Sequence, residues 1–286
     1  IPLRLVGSEM CIRDRYDIAR DLSYRYKVCI IHCGILSQGH EELNKTMYNI
    51  DIISVRECSR DLLINYQIIL VDESQRIYSG DLNTIMQAFR DGKICIFSYD
   101  YKQVLSYAEL RRDIPTKLRR DNDFIEESLS IKIRTNYNIS EFIECALDLK
   151  REPHKDASFK NIEILYANDY MESFPIIEYY EQKKNFKIIS YTTSKKKSAL
   201  IDNHKIYQNT HHVIGQEFDN VFISMDRSFR YSEQGRLQGE EHPNPDYIFY
   251  QLWYQGVSRA REKLCILVIN NEELFEKLIE VKRKRK

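Results

Sequence analysis

The 286-residue sequence has no uninterrupted run of about 18 apolar residues, the length that a membrane-spanning helix needs. Its first fifteen residues are cut by Arg4, Glu9, Arg13 and Asp14, which excludes a signal-peptide core as well. An excess of either charge is also missing, because 43 Lys and Arg balance 43 Asp and Glu. No global field draws the chain to nucleic acid or to a lipid surface, so any such binding has to rest on local patches. Cysteine is sparse: seven residues, an odd number, scattered through mostly apolar runs. That pattern excludes a disulfide scaffold and reads as buried thiols in a reducing compartment, so the expectation is a soluble cytoplasmic protein. Internal repeats are absent, and the one low-complexity piece is the terminal KRKRK, read as a frayed, solvated end.

What is present is 43% hydrophobic and 30% charged residues, the composition of a folded globular protein rather than a disordered or collagen-like one. At about 150 residues per domain, the length corresponds to close to two domains. Short runs rich in Ile and Val alternate with segments of helical periodicity, the pattern of βαβ units around a largely parallel sheet. In the first half the spacing predicts a helix over Tyr16–Tyr26, strands at Val28–Ile31, Ile50–Val55, Gln67–Val71 and Ile94–Ser98, and a helix at Leu82–Arg90. A predicted strand at Leu129–Ile133 and helix at Ile139–Leu149 complete an α/β domain ending near residue 150. The polar stretch Lys150–Lys160, which contains Pro153, is the expected linker. A second domain follows, with strands predicted at Ile162–Tyr166, Phe186–Tyr191, Val221–Met225 and Leu264–Ile269 and a polar excursion over residues 227 to 246. Long excursions of this kind are usually functional or mobile.

The sharpest local signal is IILVDESQRI, where Ile68 to Val71 run straight into Asp72 and Glu73. In a buried parallel strand this sets two carboxylates at the carboxyl edge of the sheet, where α/β proteins bind ligands. One can hold a hydrated Mg²⁺ and the other can orient a water for attack on a phosphate. Two solvated acids closing a strand is the alternative that this motif leaves open. ICIFSYD ends at Asp100 and Gln103 follows, a carboxylate and an amide able to bond a γ-phosphate or attacking water; a plain polar turn is the other reading. VIGQEFDNVFI sets Gly215 and Glu217 before an apolar strand, where Gly allows close backbone approach to a ligand and Glu can accept from a ribose hydroxyl. QGVSRAREKLCILV places Arg259 and Arg261 ahead of the last strand, and arginine is the natural donor to a charged phosphoryl transition state.

In order along the chain, YDIARDL, KVCIIHCG, VDESQR, FSYDYKQV, IRTNYNISEFI, HHVIGQEFDNVFI and YQGVSRAREKLCIL resemble the motor core of superfamily 1 helicases. The closest likeness is to the Schlafen group 3-like DNA/RNA helicase domain family of bacteria, from about Tyr16 to Ile269. The resemblance implies an α/β fold of two tandem RecA-like P-loop NTPase domains with mainly parallel sheets, clamping ATP between them. It implies Mg²⁺ held by Asp72 through water, Glu73 as the residue that activates the attacking water, and Gln103 as a γ-phosphate sensor. Arg134 and Arg259 would stabilise transition-state charge, and Gly215, Glu217 and Arg259 would contact the nucleotide. The implied activity is that of an ATP-dependent helicase or translocase on DNA or RNA, single-stranded, with a fused or partner nuclease domain in the full-length protein. A nucleotide-switched regulatory ATPase in nucleic-acid defence and a non-catalytic nucleic-acid-binding module are the competing functions.

Motors of this kind carry a glycine-rich loop ending in Gly-Lys-Ser/Thr that cradles phosphates on a helix N-terminus. It should stand immediately before YDIARDL, and this sequence has none there. The segment Gly34 to Gly39, followed by His40, lacks the Lys and the hydroxyl. The opening residues, IPLRLVGSEMCIRDR, look like a translated sequencing adapter, so the expectation is a gene fragment whose own sequence begins near Tyr16 and which is inactive without its phosphate loop. Ile214 departs from the family too, since many relatives carry Gln or Lys there. Period-two alternation puts Cys29 and Cys33 on one strand face and His32 on the other, which argues against a metal site built from the three. His211 and His212, the basic clusters Arg111–Arg120 and Lys183–Lys197, and the aromatic group Tyr231, Tyr247, Tyr250 and Tyr254 each admit a nucleic-acid reading and a structural one.

Overall fold

Two apolar runs, VCIIH and IILVD, are buried along their whole length and form β2 (Val28–His32) and β4 (Ile68–Asp72). Continuous rather than alternating burial is what a parallel sheet covered on both faces requires. The computed structural model to which they belong describes residues 3–7, 12–36, 38–121, 123–129, 136–191, 208–211, 213, 216–239 and 246–284. The chain divides into a first unit, Ile1–Val104 with Ala108–Ile133, and a second unit, Leu105–Tyr107 with Arg134–Lys286. Both are mixed α/β with parallel sheets, an arrangement compatible with a P-loop NTPase-like topology. Among the described residues, no helix is long and apolar enough to cross a membrane.

In the first unit, β2 and β4 join β1 (Leu3–Gly7), β3 (Ile50–Ser54), β5 (Ile94–Tyr99) and β6 (Ile125–Leu129) in a sheet ordered β3-β2-β4-β5-β1-β6. Every pairing is parallel. The period of two divides the apolar side chains between the faces: Cys29, Ile31, Ile69, Val71 and Phe97 join one cluster, and Val28, Ile30, Ile68, Leu70 and Ile96 another. Helices α1 (Ile12–Ser23), α2 (Gln38–Thr46), α3 (Arg60–Leu63), α4 (Ser79–Arg90), α5 (Tyr107–Arg112) and α6 (Ile114–Arg119) fall between the strands in chain order. The order has a consequence for ligands. From β2 the chain runs through α2 to β3 on one side, and from β4 it runs through α4 to β5 on the other. The carboxyl ends of β2 and β4 therefore flank a topological switch point, the position where open α/β sheets form a crevice.

The second unit holds a parallel sheet ordered β7-β13-β10-β8-β9, built from β7 (Ile162–Ala167), β8 (Lys187–Ser190), β9 (Gln208–Asn209), β10 (Phe218–Met225) and β13 (Ala260–Ile269). Its described helices are α7 (Tyr137–Leu147), α8 (Tyr170–Gln182), α9 (Phe249–Val257) and α10 (Glu272–Arg283), and one cluster centred on Phe142, Phe222, Trp253 and the interior of β13 forms its core. A two-stranded antiparallel hairpin, β11 (Phe229–Tyr231) and β12 (Leu237–Gly239), closes through Gly235 at φ +79. At Gly239 an added Cβ would lie 2.3 Å from Phe249 Cβ and 3.4 Å from Phe249 Cα. Those atoms are fixed to the α9 backbone and cannot swing aside like a side-chain tip. Gly239→Ala is accordingly expected to destabilise this unit by about 1–3 kcal/mol, measured as a lower urea midpoint at unchanged slope.

Three expectations are corrected. The strand predicted at Leu129–Ile133 is β6 at Ile125–Leu129, because the parallel pairing with β1 runs from Leu3↔Ile125 to Gly7↔Leu129; residues 130–133 lie outside the described part. The division between units falls at 133/134 rather than near 150, since α7 buries Ile139, Phe142 and Ile143 in the core of the second unit. The excursion after β10 is not a bare loop over its described length, because Phe229 and Leu237 of the hairpin are buried in that same core. The adapter-like opening supplies β1, which lies between β5 and β6 with Leu5 opposite Ser98.

Candidate functional site

Asp72 is the last residue of β4, and Asp100 directly follows β5; the two strands are parallel neighbours, so both acids emerge at the same carboxyl edge. Gln103 closes a 3-10 turn at Tyr101–Gln103 and donates from Nε2 to Asp100 Oδ2 at 2.8 Å. Asp72 Oδ1 accepts from Ser98 Oγ at 3.2 Å. Glu73 Oε2 accepts from Gln75 Nε2 at 2.8 Å and from Arg76 Nε at 3.2 Å. Arg76 also donates from Nη2 to the Gln103 carbonyl at 3.2 Å, and Gln75 Oε1 accepts from the Asp100 backbone N–H at 3.3 Å. Asp72, Glu73, Asp100 and Gln103 are all buried; Glu73, Asp100 and Gln103 are linked through Gln75 and Arg76, and Asp72 is tied to β5 through Ser98. Gln75, Arg76 and Ser98 are members of this grouping as well; they stand inside VDESQR and FSYDYKQV, motifs that assign them no role. Arg76 was legible only as the end of VDESQR; its role as the tie between two strand ends depends on β4 and β5 lying side by side.

Glu73 has φ 55 and ψ 39, in the left-handed region, at the start of the 3-10 turn Ser74–Arg76. Among the described residues the other non-glycine positions with positive φ are Asn49, Asp113, Asn185 and Asn270, types that take this conformation with little penalty. Glutamate has no such ease. A glutamate held there by its surroundings is local strain at a strand edge, of the kind that clusters at active sites, ligand clamps and switch regions.

On the other side of Asp72 stands β2. His32 is its register partner, and His32 Nδ1 lies 2.9 Å from Asp72 Oδ2. The ring of His40, in the first turn of α2, stacks against His32 with centroids 4.5 Å apart. One donor atom each from His32, His40 and Asp72 lie within 4.8 Å of one another, and all three residues are buried. The alternation argument against a Cys29–His32–Cys33 site agrees with this placement, because both cysteines join the opposite cluster. It could not show that the other face brings His32 to Asp72. The fit to a hydrated Mg²⁺ would be through water, since both oxygens of Asp72 already face protein partners, Ser98 and the His32 ring. For a triphosphate it is incomplete, since the sequence supplies no Gly-Lys-Ser/Thr cradle.

The remaining expected residues are scattered. Arg134, Gly215, Ile214 and His212 lie outside the described residues. Glu217 is exposed. Arg259 is 1% exposed and donates to the Gln255 carbonyl at 3.1 Å, to Gln255 Oε1 at 3.3 Å and to the Gln216 carbonyl at 3.5 Å, all within the second unit. In the Arg111–Arg120 cluster, Arg112 lies over the Tyr78 ring and donates to the Arg76 carbonyl, and Arg119 lies over Tyr101, so part of this charge has structural partners. Tyr231 donates to the Ala146 carbonyl at 2.8 Å and Tyr254 is buried, which gives them packing roles; Tyr250 remains partly exposed. His211 meets Tyr247 edge-on at 5.2 Å.

The described cysteines are free, and all are buried except the half-buried Cys58. Burial, with Asp81 adding to it, pushes the Cys58 thiol up to about 11. Its thiolate fraction near neutral pH is then about a hundredfold below that of an ordinary thiol. Labelling of the native chain with a thiol reagent is expected to reach Cys58 slowly, and Cys95 and Cys265 only on unfolding. Labelling of Cys265 at the rate of Cys58 in native buffer would show that the second core opens.

No protein-family model matches the chain, and no curated protein matches it. Among solved structures it is similar to arterivirus nonstructural protein 10, a helicase, in complex with DNA, with a TM-score of 0.52 and 11% identity over 97% of this chain. The chain spans 63% of the length of that protein. At this identity the likeness is one of fold: a distant match to a viral helicase.

Proposed function

We propose that the chain is the core of an ATP-dependent, superfamily 1-type helicase or translocase acting on single-stranded DNA or RNA, built of two RecA-like domains and inactive in the form given. The observation that carries this reading is the buried grouping of Asp72, Glu73, Asp100 and Gln103 at one carboxyl edge, with the glutamate in the left-handed region. Two carboxylates on one strand end and an amide on the next are the groups that phosphoryl transfer to water requires. Asp72 would hold Mg²⁺ through water, which supplies charge neutralisation to the phosphates. Glu73 would orient and deprotonate the attacking water, and Gln103 would bond the terminal phosphate. Arg134 and Arg259 are proposed as donors to the developing charge, and Gly215 and Glu217 as nucleotide contacts. The helicase-like fold and the seven ordered motifs support the assignment; the Schlafen group 3-like family is its finest form.

The test follows from the missing phosphate loop. The chain as given is expected to hydrolyse ATP no faster than its own Glu73→Gln variant, with or without single-stranded nucleic acid. Turnover well above that control would overturn the requirement for the loop. Absence of turnover even after a Gly-x-x-x-x-Gly-Lys-Thr loop is placed between β1 and α1 would favour the non-catalytic binding module.

A further inference from the structure

We propose that His32, His40 and Asp72 form a buried site for one divalent transition-metal ion of the zinc class. The site lies at the switch point between β2 and β4, and it does not depend on the nucleotide reading. His32 ends β2, Asp72 ends β4 as its register partner, and His40 is carried by α2 on the connection that leaves β2. The crevice that strand order opens at this point is thus lined by two imidazoles and a carboxylate.

Three further observations point to an ion. The residues are 1%, 3% and 2% exposed, and one donor atom from each lies within 4.8 Å of the others. Donors bound at about 2.0–2.1 Å to tetrahedral zinc stand about 3.3 Å apart, so rotamer-scale adjustment closes the set. His32 Nδ1 and Asp72 Oδ2 lie 2.9 Å apart with one proton between them; a bound ion would take that proton's place, and the two donors already stand near the spacing it needs. His32 Nε2, on the far side of the ring, is buried with no hydrogen-bond partner among the described residues. A Cβ at Gly34 would meet that atom at 2.7 Å, so the glycine keeps this side of the ring open.

The donor chemistry selects the ion. Imidazole nitrogen suits zinc, cobalt or nickel, whereas Mg²⁺ takes oxygen ligands and keeps its waters. An ion held here would fasten α2 to two strand ends and stabilise the first unit. It would also engage Asp72, so the same carboxylate could not at that moment serve a hydrated Mg²⁺.

The experiment is a titration of the chelator-stripped chain with Co²⁺ near neutral pH, followed by displacement with Zn²⁺. One equivalent is expected to bind, with the visible bands of a nitrogen- and oxygen-ligated ion, and Zn²⁺ is expected to raise the melting temperature. His32→Gln and His40→Gln should each weaken binding by at least the roughly 10- to 100-fold that loss of an outer-shell partner costs, while His154→Ala, at an exposed site, should leave it unchanged. If either glutamine variant fails to fold, the ring signals of the unaltered chain decide: shifts at two buried histidines on adding Zn²⁺ support the site, and shifts confined to exposed histidines overturn it. Absence of stoichiometric uptake, or uptake that survives both glutamine substitutions, also overturns it.

Discussion

In a chain carrying a Gly-x-x-x-x-Gly-Lys-Thr loop between β1 and α1, Glu73→Gln is expected to lower nucleic-acid-stimulated ATP turnover by about 10² to 10⁴-fold. The amide is nearly isosteric and can still accept from Gln75 and Arg76 through one oxygen, so the local bonds of the turn after β4 persist in large part. What it cannot do is take a proton from water. Arg76 keeps its bond to the Gln103 carbonyl and its approach to Glu109 at 3.8 Å, so the variant should remain folded. A loss confined to turnover, with ATP affinity within about tenfold, identifies an interaction made in the transition state. Turnover within threefold of the unsubstituted chain would reduce Glu73 to the structural partner of Arg76 and leave its left-handed backbone without a functional reason.

Arg259→Ala is expected to act twice. In the loop-bearing chain, its proposed role as a donor to phosphoryl charge leads to an expected fall in turnover of about 10³ to 10⁵. Arg259 is also buried, and three of its bonds end on Gln255 and Gln216. Its removal leaves a cavity and takes a buried donor from those acceptors, a combined cost of roughly 3–5 kcal/mol to the second unit. The two effects separate by measurement: urea unfolding gives the stability loss, and turnover is read at a temperature where circular dichroism shows the variant folded. Arg259→Lys should recover part of the stability without the turnover, because an ammonium cannot reproduce the planar fork. Full turnover in a folded Arg259→Ala chain would make this arginine purely a structural tie between α9 and the loop before β10.

Much of the strand pattern was legible because burial on both faces leaves a local signature. The runs at Val28, Ile68 and Ile94 have no polar interruption, and the observed strands begin at those residues. Helix α4 was found over Leu82–Arg90 and starts three residues earlier, at Ser79, where the first turn carries no apolar stripe to read. The shift of β6 and the reassignment of α7 were not legible, since each depends on a partner far away in sequence.

The sequence by itself determined the α/β class, the apolar strands and the placing of Asp72, Glu73, Asp100 and Gln103 at strand ends, because these follow from hydrophobic runs and from where polar residues stop them. It also determined the absence of a phosphate-binding Gly-Lys-Ser/Thr loop. Only the tertiary structure decided which strand ends are neighbours. Parallel pairing in the order β3-β2-β4-β5-β1-β6 sets Asp72 between His32, 40 residues earlier, and Ser98, 26 residues later. It also turned Glu73 into the left-handed region, a conformation that no glutamate prefers and that holds only where surrounding bonds over-determine it. Strand register is a long-range property, settled by how whole faces bury their side chains, so a local reading finds the groups but not the constellation that they form.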